Sequence, residues 1–273
     1  MLSFIKSSFK KTNECIILAT PLVVFFLLAE IYFNFAKYSV NNSTKLIFAI
    51  ITMLIISSGF MAGWFYMAKK TLELADRVFV FDKDRIKAIW QLVLSIPKGF
   101  GELFLSFIGI TTISFCLYSF IIYAVTLFVS KFIGTTDILT NGTLLGTTQE
   151  IYYNIANLPT NEILVINYWY FLIFIPITII SFFGILWIPE VVYTKKGVIK
   201  SLLSSIKKIM LTHKKTLAIY LYVYVLYLFL AILITFSVIH PILYFLAILL
   251  FYYFVIHITI VVFSYYEKEF VDE

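Results

Sequence analysis

The chain is poor in the residues from which most active sites are built. It has three histidines, two cysteines and, against 19 lysines, two arginines, and charged residues make up 13% of its 273 positions. None of His213, His240 and His257 lies one helical turn from a carboxylate, which excludes the His-Glu-x-x-His helix of a zinc hydrolase. Paired carboxylates for acid–base chemistry are missing as well. So is the GxxxxGK[ST] loop that cradles nucleotide phosphates. Cys15 and Cys116 belong to different stretches and would sit at different depths, so neither a disulfide nor a metal site is expected from them. These absences point away from an enzyme and from any bound cofactor or metal.

What the chain has in excess is apolar surface: 62% of its residues are hydrophobic and its mean hydropathy is +0.98. A helix needs roughly 20 mostly apolar residues to cross a hydrocarbon layer of ~30 Å with every backbone polar group satisfied internally. Six stretches qualify, at about 15–36, 46–68, 103–129, 165–193, 216–239 and 241–266. The last two are separated by His240-Pro241, because proline removes a backbone donor and clashes with the preceding turn. The expected fold class is therefore all-α: a single six-helix transmembrane domain covering 1–273. The first stretch is longer than the ~7–15 residues of a signal core and lacks a small-x-small cleavage site after it, so it is read as an uncleaved span.

Orientation follows from the basic residues, which accumulate in cytoplasmic loops. With the N-terminus inside, that side holds Lys6, Lys10, Lys11, Lys69, Lys70, Arg77, Lys83, Arg85, Lys87, Lys98, Lys195, Lys196, Lys200, Lys207, Lys208, Lys214, Lys215 and Lys268. The other side holds only Lys37, Lys45 and Lys131. Eighteen against three predicts a multi-pass protein of the cell membrane with both termini cytoplasmic. The external side carries two Asn-x-Thr triplets, Asn42-Ser-Thr44 and Asn141-Gly-Thr143, the second within a Thr-, Asn- and Gly-rich segment from Lys131 to Leu164.

A weak internal repeat emerges on a shift of 113 residues, which lays Arg85-Ile-Lys-Ala-Ile-Trp90 over Val198-Ile-Lys-Ser-Leu-Leu203, Val78-Phe79 over Val191-Val192 and the third span over the fifth. Each copy reads as a span, a polar turn (Asp82-Lys-Asp-Arg85 or Thr194-Lys-Lys-Gly197), an amphipathic segment and a second span. Ile86, Ile89, Trp90, Val93 and Ile96 recur at helical spacing in the first segment, and Ile199, Leu202, Leu203, Ile206 and Met210 in the second. Such helices lie in the membrane interface with lysines near anionic headgroups. Lys87, Lys98, Lys200, Lys207 and Lys208 are thus candidate contacts for anionic lipid or a protein partner, the bland alternative being plain elbows between spans. No nucleic-acid partner is expected.

A few polar residues inside the spans are candidates for an intramembrane site. Glu30 is costly within a span and by default suggests a proton or cation path, although Lys37 and Lys45 nearby allow a salt-bridged helix end instead. Glu190, beside Pro189, reads as a helix-end carboxylate facing the lysines that follow. His257 has Tyr253 one turn before it and is either a proton shuttle or a core histidine satisfied by a neighbouring helix. Tyr220, Tyr224 and Tyr227 fall on one face of the fifth span. Gly59-Phe-Met-Ala-Gly63 is a small-xxx-small motif for close helix packing, within the bundle or across a dimer. Pro21 and Pro176 interrupt the first and fourth spans.

The segment Pro189-Glu-Val-Val-Tyr193, followed after Lys-Lys-Gly by Ile199-Lys-Ser-Leu-Leu-Ser-Ser205, resembles the pattern in a broad group of six-helix bacterial membrane proteins. That group includes the membrane domain fused to some glycerophosphodiester phosphodiesterases, and Arg77 to Ser95 resembles a more diverged copy of the same pattern. The phosphodiesterase domain of the fused members has no counterpart in this sequence, so the resemblance carries over no catalytic residue. The function expected is a non-enzymatic, lipid-interacting accessory protein of the cell envelope; the alternative is a small-solute transporter using Glu30 and His257.

Overall fold

The computed structural model describes residues 2–40, 42–75, 82–134, 158–237 and 241–271. Among them there is no strand, and the helices are α1 (Leu2–Glu14), a 3-10 turn (Ile16–Leu18), α2 (Ala19–Ser39), α3 (Ser43–Ala75), α4 (Asp82–Phe132), α5 (Thr160–Gly184), α6 (Trp187–Thr194), α7 (Val198–Leu211), α8 (His213–Ser237) and α9 (Pro241–Phe270). Among the described residues six stretches are long and apolar enough to cross a membrane: Ile16–Ser39, Ser43–Ala75, Ile86–Phe132, Thr160–Thr194, His213–Ile234 and Ile242–Phe270. Each overlaps one of the six stretches read from the sequence, the third beginning much earlier, at Ile86 rather than near 103. The architecture is that of a multi-pass membrane protein.

Burial runs opposite to that of a water-soluble bundle. Leu27, Leu28, Ile31, Phe35 and Leu105 are among the most exposed side chains, whereas Ser8, Thr12, Ser58, Glu190, Ser201, Ser205, Thr216 and His257 are at most 1% exposed. Lipid tails are as apolar as leucine, so helices gain little by hiding leucine and associate instead through close packing and interhelical hydrogen bonds.

The helices divide into two compact units, Met1–Thr111 with Phe183–Glu273, and Thr112–Phe182. In the first unit α9 is the central helix, with Ile256, His257, Ile260, Val261, Phe263 and Tyr266 inaccessible or nearly so. In the second unit the later turns of α4 meet α5 through the Trp169 indole, which donates to Thr126 Oγ1 at 2.9 Å.

Local structure departs from the sequence reading at several points. Asp82 to Arg85 form the first turn of α4 rather than a polar turn, the backbone from Asp82 to Phe132 being one continuous helix. The first amphipathic segment is accordingly continuous with the third span in one 51-residue helix, about 76 Å at 1.5 Å per residue. The turn after α6 is present, but its left-handed position falls on Lys195 (φ 52°), whose amide caps the Val191 carbonyl at 2.9 Å. Gly197 instead precedes α7 at φ −59°, an ordinary value for any residue. Pro21 does not interrupt α2, because it lies in the first turn, where no amide hydrogen bond is required. Asn42 caps α3 by accepting the Lys45 amide at 2.8 Å. Val78-Phe79, Asn141-Gly-Thr143 and His240 lie outside the described residues.

The spacing of 113 residues reappears in burial. Ala88 and Leu92 face inward in α4, as do Ser201 and Ser205 in α7, while Ile86, Trp90, Ile199 and Leu203 all face outward. Equivalent positions of the two segments therefore face the same way, two inward and two outward in each.

Candidate functional site

The buried carboxylate Glu190 and the buried imidazole His257 lie in the first unit, toward the end of the helices that carries Lys195, Lys208 and Lys215. Four contacts define that end: Lys195 with Glu102 at 2.6 Å, Lys69 over the Tyr193 ring at 4.5 Å, Lys208 with Glu190 at 2.7 Å, and Lys215 with Glu269 at 2.6 Å.

The first polar node is built on Glu190. The short helix α6 presents this carboxylate to α7 and α9 with no solvent exposure. An isolated buried carboxylate would lose several kcal/mol of hydration or more, and here that loss is offset by four partners. Ser204 donates to Oε1 at 2.8 Å, and Lys196 approaches the same oxygen at 3.7 Å. The Tyr266 hydroxyl donates to Oε2 at 2.6 Å while accepting from Lys208 Nζ at 2.6 Å. Lys208 also lies 4.9 Å from the Phe270 ring centre, where the ring face favours a cation. The carboxylate thus joins α6, α7 and α9 at one point.

The second node is His257. Its Nδ1 lies 2.8 Å from Thr12 Oγ1 and its Nε2 lies 2.7 Å from the Tyr222 hydroxyl. Thr12 already donates its hydrogen to the Ser8 carbonyl at 2.8 Å, so it accepts from Nδ1–H, and Nε2 accepts from Tyr222. This bookkeeping assigns the neutral Nδ1–H imidazole. Phe9 stacks on the ring with centroids 4.1 Å apart. One turn earlier, Tyr253 donates to Asn13 Oδ1 at 2.9 Å. Together these contacts lay α1 along the central helix.

The candidate residues divide accordingly. Tyr253 and His257 stand one turn apart on α9 with stacked rings, centroids 6.3 Å apart, and Glu190 belongs to the other node. Glu30 joins neither: it is exposed on α2 beside Leu27 and Ile31. Phe26 meets Phe251 and Tyr252, and from that register Glu30 lies about 15 Å along the helix axes from His257. No hydrogen bond or ion pair engages Glu30 among the described residues. Of the candidate lipid contacts, Lys87, Lys98, Lys200 and Lys207 are exposed, whereas Lys208 is turned inward to Glu190 with 22% of its side chain exposed. Gly59 and Gly63 face α4 of the same chain, where added methyls would meet the Phe100 ring and both the side chain and the carbonyl of Ile96.

Several participants were not singled out from sequence. The tyrosine that serves His257 is Tyr222, not one of the Tyr220, Tyr224 and Tyr227 stripe. Helix α1 precedes the first span, and its signal in the sequence is the recurrence of Phe4, Ile5, Ser8, Phe9 and Thr12 at helical spacing. The serines of α7 carried a signal too, being spaced to form a slim stripe on one side of that helix.

A cavity of about 510 Å³ lies beside these nodes, between α1, α8 and α9, lined by Phe4, Lys214, Lys215, Ala218, Ile219, Tyr265, Lys268 and Glu269. Tyr265 is held by a hydroxyl contact of 2.9 Å to Thr216, which lies 3.0 Å from Thr212. Neither a family model, nor a curated protein, nor a solved structure matches the chain.

Proposed function

We propose that this chain is a non-enzymatic integral membrane protein of the cell envelope, with both termini cytoplasmic, whose basic helices contact anionic lipid and which serves as an accessory factor there. The observation that carries this reading is the orientation of the two amphipathic segments. Ile86, Trp90 and Leu94 on α4, and Ile199, Leu203 and Met210 on α7, are 57–67% exposed. Lys87, Lys98, Lys200 and Lys207 flank these ridges and are exposed as well. An apolar ridge turned away from the protein with cations along its border suits the boundary between acyl chains and headgroups. Each lysine near an anionic surface contributes about 1 kcal/mol.

Transport through His257 and Glu30 has less support. Both imidazole nitrogens already have partners within the protein, and Glu30 stands on an exposed flank. The test is native mass spectrometry of the gently solubilised protein with phosphatidylglycerol or phosphatidylcholine added. Preferential retention of phosphatidylglycerol, reduced when Lys87, Lys98, Lys200 and Lys207 are changed to Gln, is the expected result. Equal retention of both lipids, or proton-coupled solute uptake in proteoliposomes that Glu30→Gln abolishes, would overturn the proposal.

A further inference from the structure

The cavity between α1, α8 and α9 has the chemistry of an anionic amphiphile site. Its floor is apolar, from Phe4, Ala218 and Ile219, and its rim is cationic, from Lys214, Lys215 and Lys268. Glu269 neutralises Lys215 at 2.6 Å. Lys214 and Lys268 have no acidic partner among the described residues. The rim therefore keeps a surplus of two positive charges over a pocket of about 510 Å³, within the ~300–1,000 Å³ typical of small-molecule sites.

The placement of Lys214 and Lys215 adds a second argument. Both lie in the first turn of α8, which contains no acidic residue, although lysines are disfavoured at the positive end of a helix dipole. An anion at this point is attracted by the lysines and the helix end together. On the same helix that lines the pocket with Lys214 and Ala218, α8 exposes Leu217, Leu221 and Val225 at four-residue spacing, an apolar track of the kind an acyl chain can follow.

We infer that this pocket holds the phosphodiester headgroup of an anionic phospholipid, with Lys214 and Lys268 on the phosphate and an acyl chain along Leu217, Leu221 and Val225. The inference rests on the lipid-interacting reading and adds a discrete site to it, distinct from the exposed lysines of α4 and α7. Basic pockets between spanning helices are a recurrent way of holding such headgroups.

The experiment is native mass spectrometry of the full chain titrated with phosphatidylglycerol, comparing the parent with Lys214→Gln/Lys268→Gln, Lys214→Arg/Lys268→Arg, Ala218→Trp and Lys200→Gln/Lys207→Gln. Loss of the two lysine contributions is expected to weaken the first bound lipid on the order of 30-fold. The arginine pair should retain it, and Ala218→Trp should lose it by filling the pocket at unchanged charge. If the pocket variants bind like the parent while Lys200→Gln/Lys207→Gln binds weakly, the pocket is overturned and the broader lipid reading stands. If phosphatidylcholine binds as tightly, or if inorganic phosphate displaces the lipid, the phospholipid assignment is overturned in favour of an uncharged or a soluble occupant.

Discussion

Lys208 and Glu190 meet 2.7 Å apart, the carboxylate fully buried and the ammonium 22% exposed. The asymmetry decides which partner the fold depends on. Removing Lys208 leaves a carboxylate that cannot reach water with only the more distant Lys196, at 3.7 Å, as a cation among the described residues, whereas removing the carboxylate leaves a lysine able to turn outward. Lys208→Met is therefore expected to cost about 3–5 kcal/mol of unfolding free energy. Glu190→Gln, which keeps an oxygen for Ser204 or Tyr266, should cost clearly less. Denaturant unfolding in a mild detergent checks this, and equal losses would contradict the asymmetry.

The tie between α1 and α9 is testable through Thr12. Thr12→Val removes the partner of His257 Nδ1 while conserving shape, leaving a buried donor unsatisfied at about 1–3 kcal/mol. Hydrogen exchange of residues 2–14 should accelerate relative to the rest of the chain, and the same should follow from His257→Phe. Unchanged protection of α1 in both variants would mean that Phe9 and Asn13 hold it unaided.

The two glycines of the small-xxx-small motif should differ in tolerance. At Gly63 an added methyl would lie 2.9 Å from the Ile96 carbonyl, part of a helix backbone that cannot yield, while at Gly59 it would lie 2.8 Å from the edge of the Phe100 ring. Gly63→Val should lower the thermal midpoint distinctly, Gly59→Val only slightly. Gly99 is tighter still, meeting Tyr66 and the Ala62 carbonyl, so even Gly99→Ala should destabilise. These contacts lie within one chain, so the losses should not depend on protein concentration.

The exposed pair of Lys195 and Glu102 provides a contrast. The hydrogen bond to Glu102 raises the Lys195 ammonium above its ordinary value. Its contribution is fully present below the ordinary lysine value of about 10.4 and is lost only as pH rises through the raised folded value. Since the lysine is 53% exposed, solvent screens most of the attraction. Glu102→Gln is thus expected to leave the thermal midpoint unchanged across neutral pH, and a large drop there would show that the pair carries structural weight.

The number, order and approximate limits of the spans were legible in the sequence because they depend on local quantities: run length, hydropathy and the positions of Pro241 and the charged loops. The two amphipathic segments were legible for the same reason, since helical periodicity is a property of neighbouring residues. Their rotation was not: which side of α7 faces the protein is set by Glu190, whose burial draws Ser204 and Lys208 inward and leaves Ile199 and Leu203 outside. The polar nodes were legible only as single residues. Thr12 and His257 are 245 positions apart, and Tyr266 and Glu190 are 76 apart, so their meeting depends on which helices pack. Hydropathy cannot settle that, because all six spans are similarly apolar while 44% of the α9 window is buried against 11–17% for the other five. Composition and period determined that this protein crosses a membrane with a basic end. Only tertiary packing decided that α9 is the central helix of the first unit and that an acid, a histidine and a lysine-rimmed cavity lie along it.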